Sequence, residues 1–324
     1  MGKQDCGIPD NTAMHLLIPF ACADAPGCTA QLPALRLPQL EALLQRLVLV
    51  DADTAPASRL SPPHERAQGR LLGLPASADG CIPWAAGEAR ARGLDPADDA
   101  WAWISPAHWD VGAQHVAMTD PRALALDATE ARTLMAAMAV YFGEDGLDLH
   151  YAAPHRWLCR AETFRHLPTA SLDRVVGQDI QAWMPSVPAL RRLQNEMQML
   201  LYTHPVNDAR AARGASAVNS FWVSGTGAWP AASALPAQDT TTVADALRDA
   251  ALAGDWAAWA RAWADTDAQA CRQLLERLAG EPCSQLILCG ERAALTFAVG
   301  TQSLWKRLRG RWSPTSLATL RDLL

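Results

Sequence analysis

The chain has 324 residues, of which 50% are hydrophobic and 19% charged, and its formal net charge is −6. That length supports a well-buried core in one large domain or two smaller ones. The acidic balance excludes a general nucleic-acid or membrane-surface binder, which needs a basic footprint, and no run reaches the ~18 apolar residues of a membrane span.

The eight cysteines are scattered, with no C-x-x-C pair. In a chain of this size that spacing predicts reduced thiols in a cytoplasmic protein and no structural zinc. "AMHLLIPFACADA" has the length of a signal-peptide core. Asp5 and Asp10 offset Lys3, and Pro19 breaks the short apolar run, so a buried first strand is expected instead.

Met14 to Ala23 therefore reads as a strand. After a loop, "LPQLEALLQRLVLV" has helical spacing at Leu40, Leu43, Leu44 and Leu47. "SPPHERAQGRLLGLP" predicts a short helix closed by Gly73 and Pro75. "WAWISPAHWDVGAQHVAM" predicts two extended segments broken at Pro106. Asp127 and Glu130 form a capping-box pattern ahead of the helix "DATEARTLMAAMAVYF". Strands are expected at Leu147 to Tyr151 and Arg156 to Arg160, then a helix opened by Pro188, then the strand "AVNSFWVS" running into Gly225-x-Gly227. Beyond Pro230 comes a Pro/Ala/Thr connector, helices with Trp256, Trp259 and Trp263 on one face, a strand "SQLILCG", and a last helix from Ser313-Pro314. Alternating strands and helices predict an α/β fold with a mixed or mostly parallel sheet.

Two constellations carry chemistry. "HPVNDARAARG" with the following Gly-x-Gly places His204, Asn207, Arg210 and Arg213 ahead of a glycine turn. Arginines supply charge, and glycines allow close backbone approach, as an anion site requires. The same pattern also describes a turn, an exposed helix and a strand. His108, Asp110 and His115 form an H-x-D-x4-H cluster with metal-ligating side chains or, equally, ordinary surface residues. Ser224 and Thr226 lack the G-x-S-x-G context of a nucleophile. Trp256, Trp259 and Trp263 make either a packing stripe or a partner surface, and Lys306, Arg307, Arg309 and Arg311 form the one basic cluster.

Four segments in order carry a resemblance: "DPRALALDATEARTLMAAM", "APHRWLCRAE", "TASLDRVVGQDIQAWMP" and "HPVNDARAARGASAVNSFWVSGTGAWP". Together they resemble the archaeal-type cofactor-independent phosphoglycerate mutases of the alkaline phosphatase superfamily. The chain is also similar to a proteobacterial branch of RpfE-type regulatory proteins. The resemblance implies an alkaline phosphatase-like core with an inserted smaller α/β domain: residues 1–112 and 217–324 as core, 113–216 as the insertion. It also implies two divalent metals, a Ser or Thr nucleophile, and phosphoryl transfer between the hydroxyls of glycerate. Arg156, Asp173, His204, Asn207, Arg210, Gly225 and Gly227 match the family's motifs, as do Thr169, Gly177, Pro205 and Gly214. With Arg213, these furnish the candidate phosphate site.

The catalytic parts do not match. Pro19 and Phe20 stand where the family's first metal-binding Asp follows strand one, and Leu37 precedes Pro38 where the nucleophilic hydroxyl belongs. Glu291-Arg292 replaces an Asp-His pair, Gln114 replaces an Arg, and no His follows Pro230. An alkyl side chain cannot accept a phosphoryl group and a guanidinium cannot ligate a metal. The expectation is a phosphoglycerate mutase-like protein without metal centre or nucleophile, binding a phosphorylated metabolite in a regulatory role and holding no cofactor. One alternative is an active phosphomutase or phosphohydrolase with Mn²⁺ or Zn²⁺ at Asp24, His108, Asp110 and His115. Another is a scaffold that binds a protein partner through its Trp-rich or basic C-terminal surface.

Overall fold

The structure, a computed structural model, describes residues 14–94, 98–112, 115–230, 241–278, 280, 283–300 and 316–324. The chain divides into two compact units. The first comprises Met1–Ala57, Pro62–Leu72 and Pro236–Leu324, and the second Ser58–Ser61 and Gly73–Leu235. In chain order the first unit begins with β1 (His15–Ile18), α1 (Pro26–Gln31), α2 (Pro38–Arg46), β2 (Leu47–Thr54) and α3 (Pro63–Leu71). The second contains α4 (Trp84–Ala91), β3 (Ala100–Ala107), β4 (Trp109–Val111), β5 (Val116–Met118), α5 (Ala128–Glu144), β6 (Asp148–Ala153) and β7 (Arg156–Arg160). It continues with α6 (Leu172–Val175), α7 (Pro188–Tyr202), α8 (Pro205–Ala212) and β8 (Ser220–Ala228). The first unit resumes with β9 (Thr241–Val243), α9 (Arg248–Leu252), α10 (Trp256–Thr266), α11 (Arg272–Arg277), β10 (Gln285–Cys289), β11 (Ala293–Val299) and α12 (Leu317–Leu320).

The first unit is built on a five-stranded sheet in the order β2-β11-β10-β1-β9. β1 runs parallel to β9 and β10, whereas β11 is antiparallel to both β10 and β2, so the sheet is mixed. Side chains alternate across β1. Leu16 and Ile18 enter a core with α2, Trp259, Trp263 and Leu274, and Leu17 packs on the other face with Ala67 of α3. Each such buried aliphatic side chain contributes about 1.5–3 kcal/mol.

The second unit has a four-stranded sheet, β6-β7-β3-β8, whose pairings are all antiparallel. Leu134, Met138 and Phe142 of α5 and Leu190, Leu193, Met197 and Leu201 of α7 cover one face. The Asp127–Glu130 capping box forms as its sequence predicts, with both Thr129 and Glu130 N–H donating to Asp127 at 2.8 Å.

Several expectations are corrected. An insertion at 113–216 would leave out β3 and β8, yet β3 is bonded to β7 on one side and to β8 on the other. The helix expected to include Leu47 stops at Arg46, because the β-branched run "LVLVDADT" pairs with β11. Pro106 does not break β3. Pairing with β7 ends at Ile104, and beyond it the strand is bonded on one side only, where proline is tolerated. β1 ends at Ile18 rather than at Ala23, since Phe20 turns the chain with φ 55°. Gln114 and the proposed helix start at Ser313-Pro314 lie outside the described residues, as do Lys306, Arg307, Arg309 and Arg311. Among the described residues no helix is long and apolar enough to cross a membrane.

Gly225-x-Gly227 is a β-bulge. Opposite Trp101 and Trp103 stand Gly227 and Ser224, so β8 carries one extra residue there. Gly225 has φ +63°, and a Cβ on it would lie 2.8 Å from the Trp103 ring. Gly225→Ala is expected to lower stability by about 1–3 kcal/mol through strain and overpacking, measured as a reduced urea midpoint with unchanged slope.

Candidate functional site

In an open α/β sheet, ligands gather beyond the carboxyl ends of the parallel strands. In the first unit that place follows β1 and β10. Phe20 and Ala21 follow β1 in the turn, and their carbonyls accept the indole N–H of Trp259 at 2.9 Å and of Trp263 at 3.1 Å. After β10, the N–H groups of Arg292 and Ala293 donate to Leu324 O at 3.1 and 3.0 Å. Arg292 ion-pairs with Asp24 at 3.2 Å.

Helix α2 begins at Pro38 with Leu37 as its N-cap, a side chain unable to accept from the first-turn N–H groups. Asp267 does so instead. Its Oδ1 accepts from Leu40 N at 2.7 Å and its Oδ2 from Gln39 N at 3.2 Å. Burial pushes the Asp267 carboxyl above its usual range, against the two backbone hydrogen bonds. Leu37 and Asp267 are both buried, at 3% and 4% exposure. The anion position at the head of this helix is therefore filled from within.

After β1, the mutual influence of the Cys22 and Cys28 thiols pushes Cys22 up and holds Cys28 low. Cys22, Cys28, Cys81, Cys159, Cys271 and Cys289 are free. Cys283 is disulfide-bonded, which corrects the expectation of uniformly reduced cysteines.

The expected anion segment is drawn into the framework of the second unit. His204 caps α8 through Nδ1, which accepts from Val206 N at 3.2 Å. Asn207 is a three-way tie: Nδ2 donates to Leu201 O at 2.8 Å and Val218 O at 2.7 Å, while Oδ1 accepts from Val218 N at 2.8 Å. Arg210 is fully buried and donates to Ser216 O at 2.7 Å, Leu124 O at 2.6 Å and Glu130 Oε2 at 3.0 Å. Arg213 holds the other Glu130 oxygen. These arginines bind the first turn of α5 instead of a phosphate fork. Asp173 lies in α6, and its N–H donates to Ser171 Oγ at 3.2 Å. Thr169 and Thr226 hydroxyls bond each other at 3.0 Å.

Arg156 differs. Its guanidinium stacks over Trp103 at 4.8 Å, the ring that also abuts Gly225. Arg156 Nε lies 3.2 Å from Glu88 Oε2 but is buried without a well-aimed hydrogen bond. Glu88 also accepts from Trp103 Nε1 at 2.8 Å and from Arg92 at 2.8 and 3.0 Å. Burial lowers the Arg156 pKa; Glu88 opposes this, and the nearby charges of Arg122 and Arg92 add to it. The same surroundings act on His155, held below its usual value by burial and then by Arg156 and Arg122. Cation–cation repulsion of this kind marks a place suited to an anion. Of the predicted residues, the fold thus joins Arg156 and Gly225 around Trp103. Glu88 and Arg92 form no part of the sequence-predicted site, although their i,i+4 spacing in "WAAGEARAR" is helical.

The alternative metal set is not assembled. His108 Nδ1 lies 2.8 Å from Ala217 O, and Asp110 and His115 are exposed. Among the described residues no three His, Cys, Asp or Glu side chains converge as a metal site requires. Of the three tryptophans on the Trp-rich face, Trp259 and Trp263 are fully buried and Trp256 is partly buried.

Among solved structures, the chain is similar to the cofactor-independent phosphoglycerate mutase from Thermoplasma acidophilum DSM 1728, at 16% identity over 90% of this chain and 91% of that one, with TM-score 0.37. It is also similar to the PH0037 protein from Pyrococcus horikoshii, at 12% identity over 89% and 87% of the two chains, with TM-score 0.44. Overlap this partial gives no residue its role. No family model and no curated protein matches the chain.

Glu130 supplies a pH test. Burial disfavours its charge, but the Arg213 hydrogen bond, the Asp127 N–H and the charges of Arg210 and Arg213 outweigh burial and hold its carboxyl below the usual range. Its stabilisation is fully present above about pH 4.3 and is lost as pH falls through the lower folded value. Thermal melts should show a weaker acid dependence in Glu130→Gln than in the parent. Glu130→Ala leaves Arg210 buried without its carboxylate and should cost about 3–5 kcal/mol in urea unfolding.

Proposed function

We propose that this chain is a phosphoglycerate mutase-like protein that binds a phosphorylated metabolite without transferring its phosphoryl group, and so acts in regulation. The four ordered motifs support the kinship. The filled head of α2 supports the loss of transfer, because no hydroxyl or metal-ligand set stands there to receive or activate a phosphoryl group.

The observation that carries the binding reading is the cluster around Arg156. Arg92 and Arg156 share the single carboxylate of Glu88, and Arg122 adds charge close by. A phosphate monoester would bring acceptor oxygens to Arg156, whose Nε is buried without a well-aimed hydrogen bond, and a guanidinium stacked on an indole is already oriented to receive it.

In isothermal titration calorimetry, 3-phosphoglycerate and inorganic phosphate should bind the parent protein. Arg156→Ala should weaken binding tenfold or more, a loss of at least ~1.4 kcal/mol, and Arg156→Lys should restore only part of it. Arg213→Ala should leave affinity unchanged. Failure of every phosphorylated ligand to bind would remove the reading. Phosphoglycerate isomerisation that starts on addition of Mn²⁺ or Zn²⁺ would replace it with the active-enzyme alternative.

A further inference from the structure

We propose that Cys22 and Cys28 are a reversible dithiol–disulfide couple that closes the loop between β1 and α1 when the protein meets a two-electron oxidant of the peroxide class. This inference concerns the first unit alone and does not depend on metabolite binding.

Both thiols are free and buried, at 3% and 0% exposure. Both sulfurs converge on one peptide. Ala23 N donates to Cys28 Sγ at 3.4 Å, and Cys22 Sγ donates to Ala23 O at 3.9 Å. Each thiol also acts on the charge of the other, raising Cys22 and lowering Cys28. Disulfide closure requires the two side chains to rotate toward each other across the Ala23 peptide. In the loop between them Asp24 and Pro26 are exposed, the side from which a small oxidant would approach. The thiols of Cys159, Cys271 and Cys289 differ: burial pushes each of them up and suppresses its thiolate.

The chemistry balances as follows. Cys28, whose sulfur accepts hydrogen bonds that favour negative charge, attacks one peroxide oxygen. The O–O bond breaks, Cys28 becomes a sulfenic acid, and the second oxygen leaves as hydroxide and takes a proton to form water. The Cys22 sulfur then attacks the Cys28 sulfur, displacing that hydroxyl as a second water and forming the S–S bond. Two thiols have lost two hydrogens, and the peroxide has been reduced to two waters. A small thiol or a dithiol reductant reverses the bond by exchange.

Immediately before the closed loop stand Phe20 and Ala21, whose carbonyls are held by the Trp259 and Trp263 indoles. Gly27 lies against Trp256, where a Cβ would meet the ring at 2.1 Å. Tryptophan emission therefore reports the closure.

The test is made on the full chain. After hydrogen peroxide treatment, free thiols are alkylated in denaturant and the protein is digested without reduction. The expected product is a peptide pair joined through Cys22 and Cys28, lighter by two hydrogens and separated by a dithiol reductant, accompanied by a reversible change in tryptophan emission. In Cys22→Ala, Cys28 should instead be captured as sulfenic acid by a dimedone-type probe. Recovery of both Cys22 and Cys28 as alkylated thiols after oxidation would overturn the proposal, as would a bond from either to another cysteine. The peptide map of the parent protein decides the matter even if the variant fails to fold.

Discussion

The first N–H groups of a helix have no partner within it, and they attract whatever negative charge lies nearest. In α2 that charge is the Asp267 carboxylate, delivered from the π-helical segment Asp267–Cys271 between α10 and α11. A π-helical insertion rotates the following residues relative to the preceding helix. Here α10 sets Trp259 and Trp263 against the carbonyls that follow β1, and the π segment sets Asp267 on α2. One local distortion thus ties the end of a strand, the start of a helix and a tryptophan face together. The first-turn N–H groups of α2 are thereby taken by a side chain of the same chain.

The second unit shows how little an arginine's neighbours in sequence reveal about its use. Arg210 is a fully buried cation, whereas the Arg156 side chain is 32% exposed. Two backbone carbonyls and a carboxylate satisfy Arg210, and Arg213 completes the charge balance of Glu130. Arg156 shares Glu88 with Arg92 and rests on an indole face. A buried charge with a full set of partners is a structural fastener, whereas a buried donor short of an acceptor carries an uncompensated desolvation cost. Partner count separates the two cases, and partner count is a property of the fold.

Local features were therefore the readable ones. The capping box at Asp127, the proline opening α7, the apolar period of both long helices and the buried tryptophan stripe depend on residues within a few positions of each other, and each formed as its pattern indicates. Pairing was not readable in the same way. Nothing near Leu47 announces β11 as its partner, and the all-antiparallel sheet with its longer boundaries follows from β3 joining β7 to β8. The Gly-x-Gly stretch looks alike as a phosphate turn and as a bulge, and only the opposing Trp101 and Trp103 decide between them. Nothing in the residues around Asp267 announces its role. Its bond to Leu40 crosses 227 positions of chain, beyond any local signal.

The account turns on whether the head of α2 stays closed to outside anions. Backbone amide resonances of Gln39 and Leu40 in ¹⁵N-labelled protein measure this directly during titration with 3-phosphoglycerate and Mn²⁺ or Zn²⁺. Both amides should hold their positions while the Arg156 side-chain N–H resonance shifts. Saturable movement of the Leu40 amide with ligand and metal, marking displacement of the Asp267 carboxylate, would contradict it.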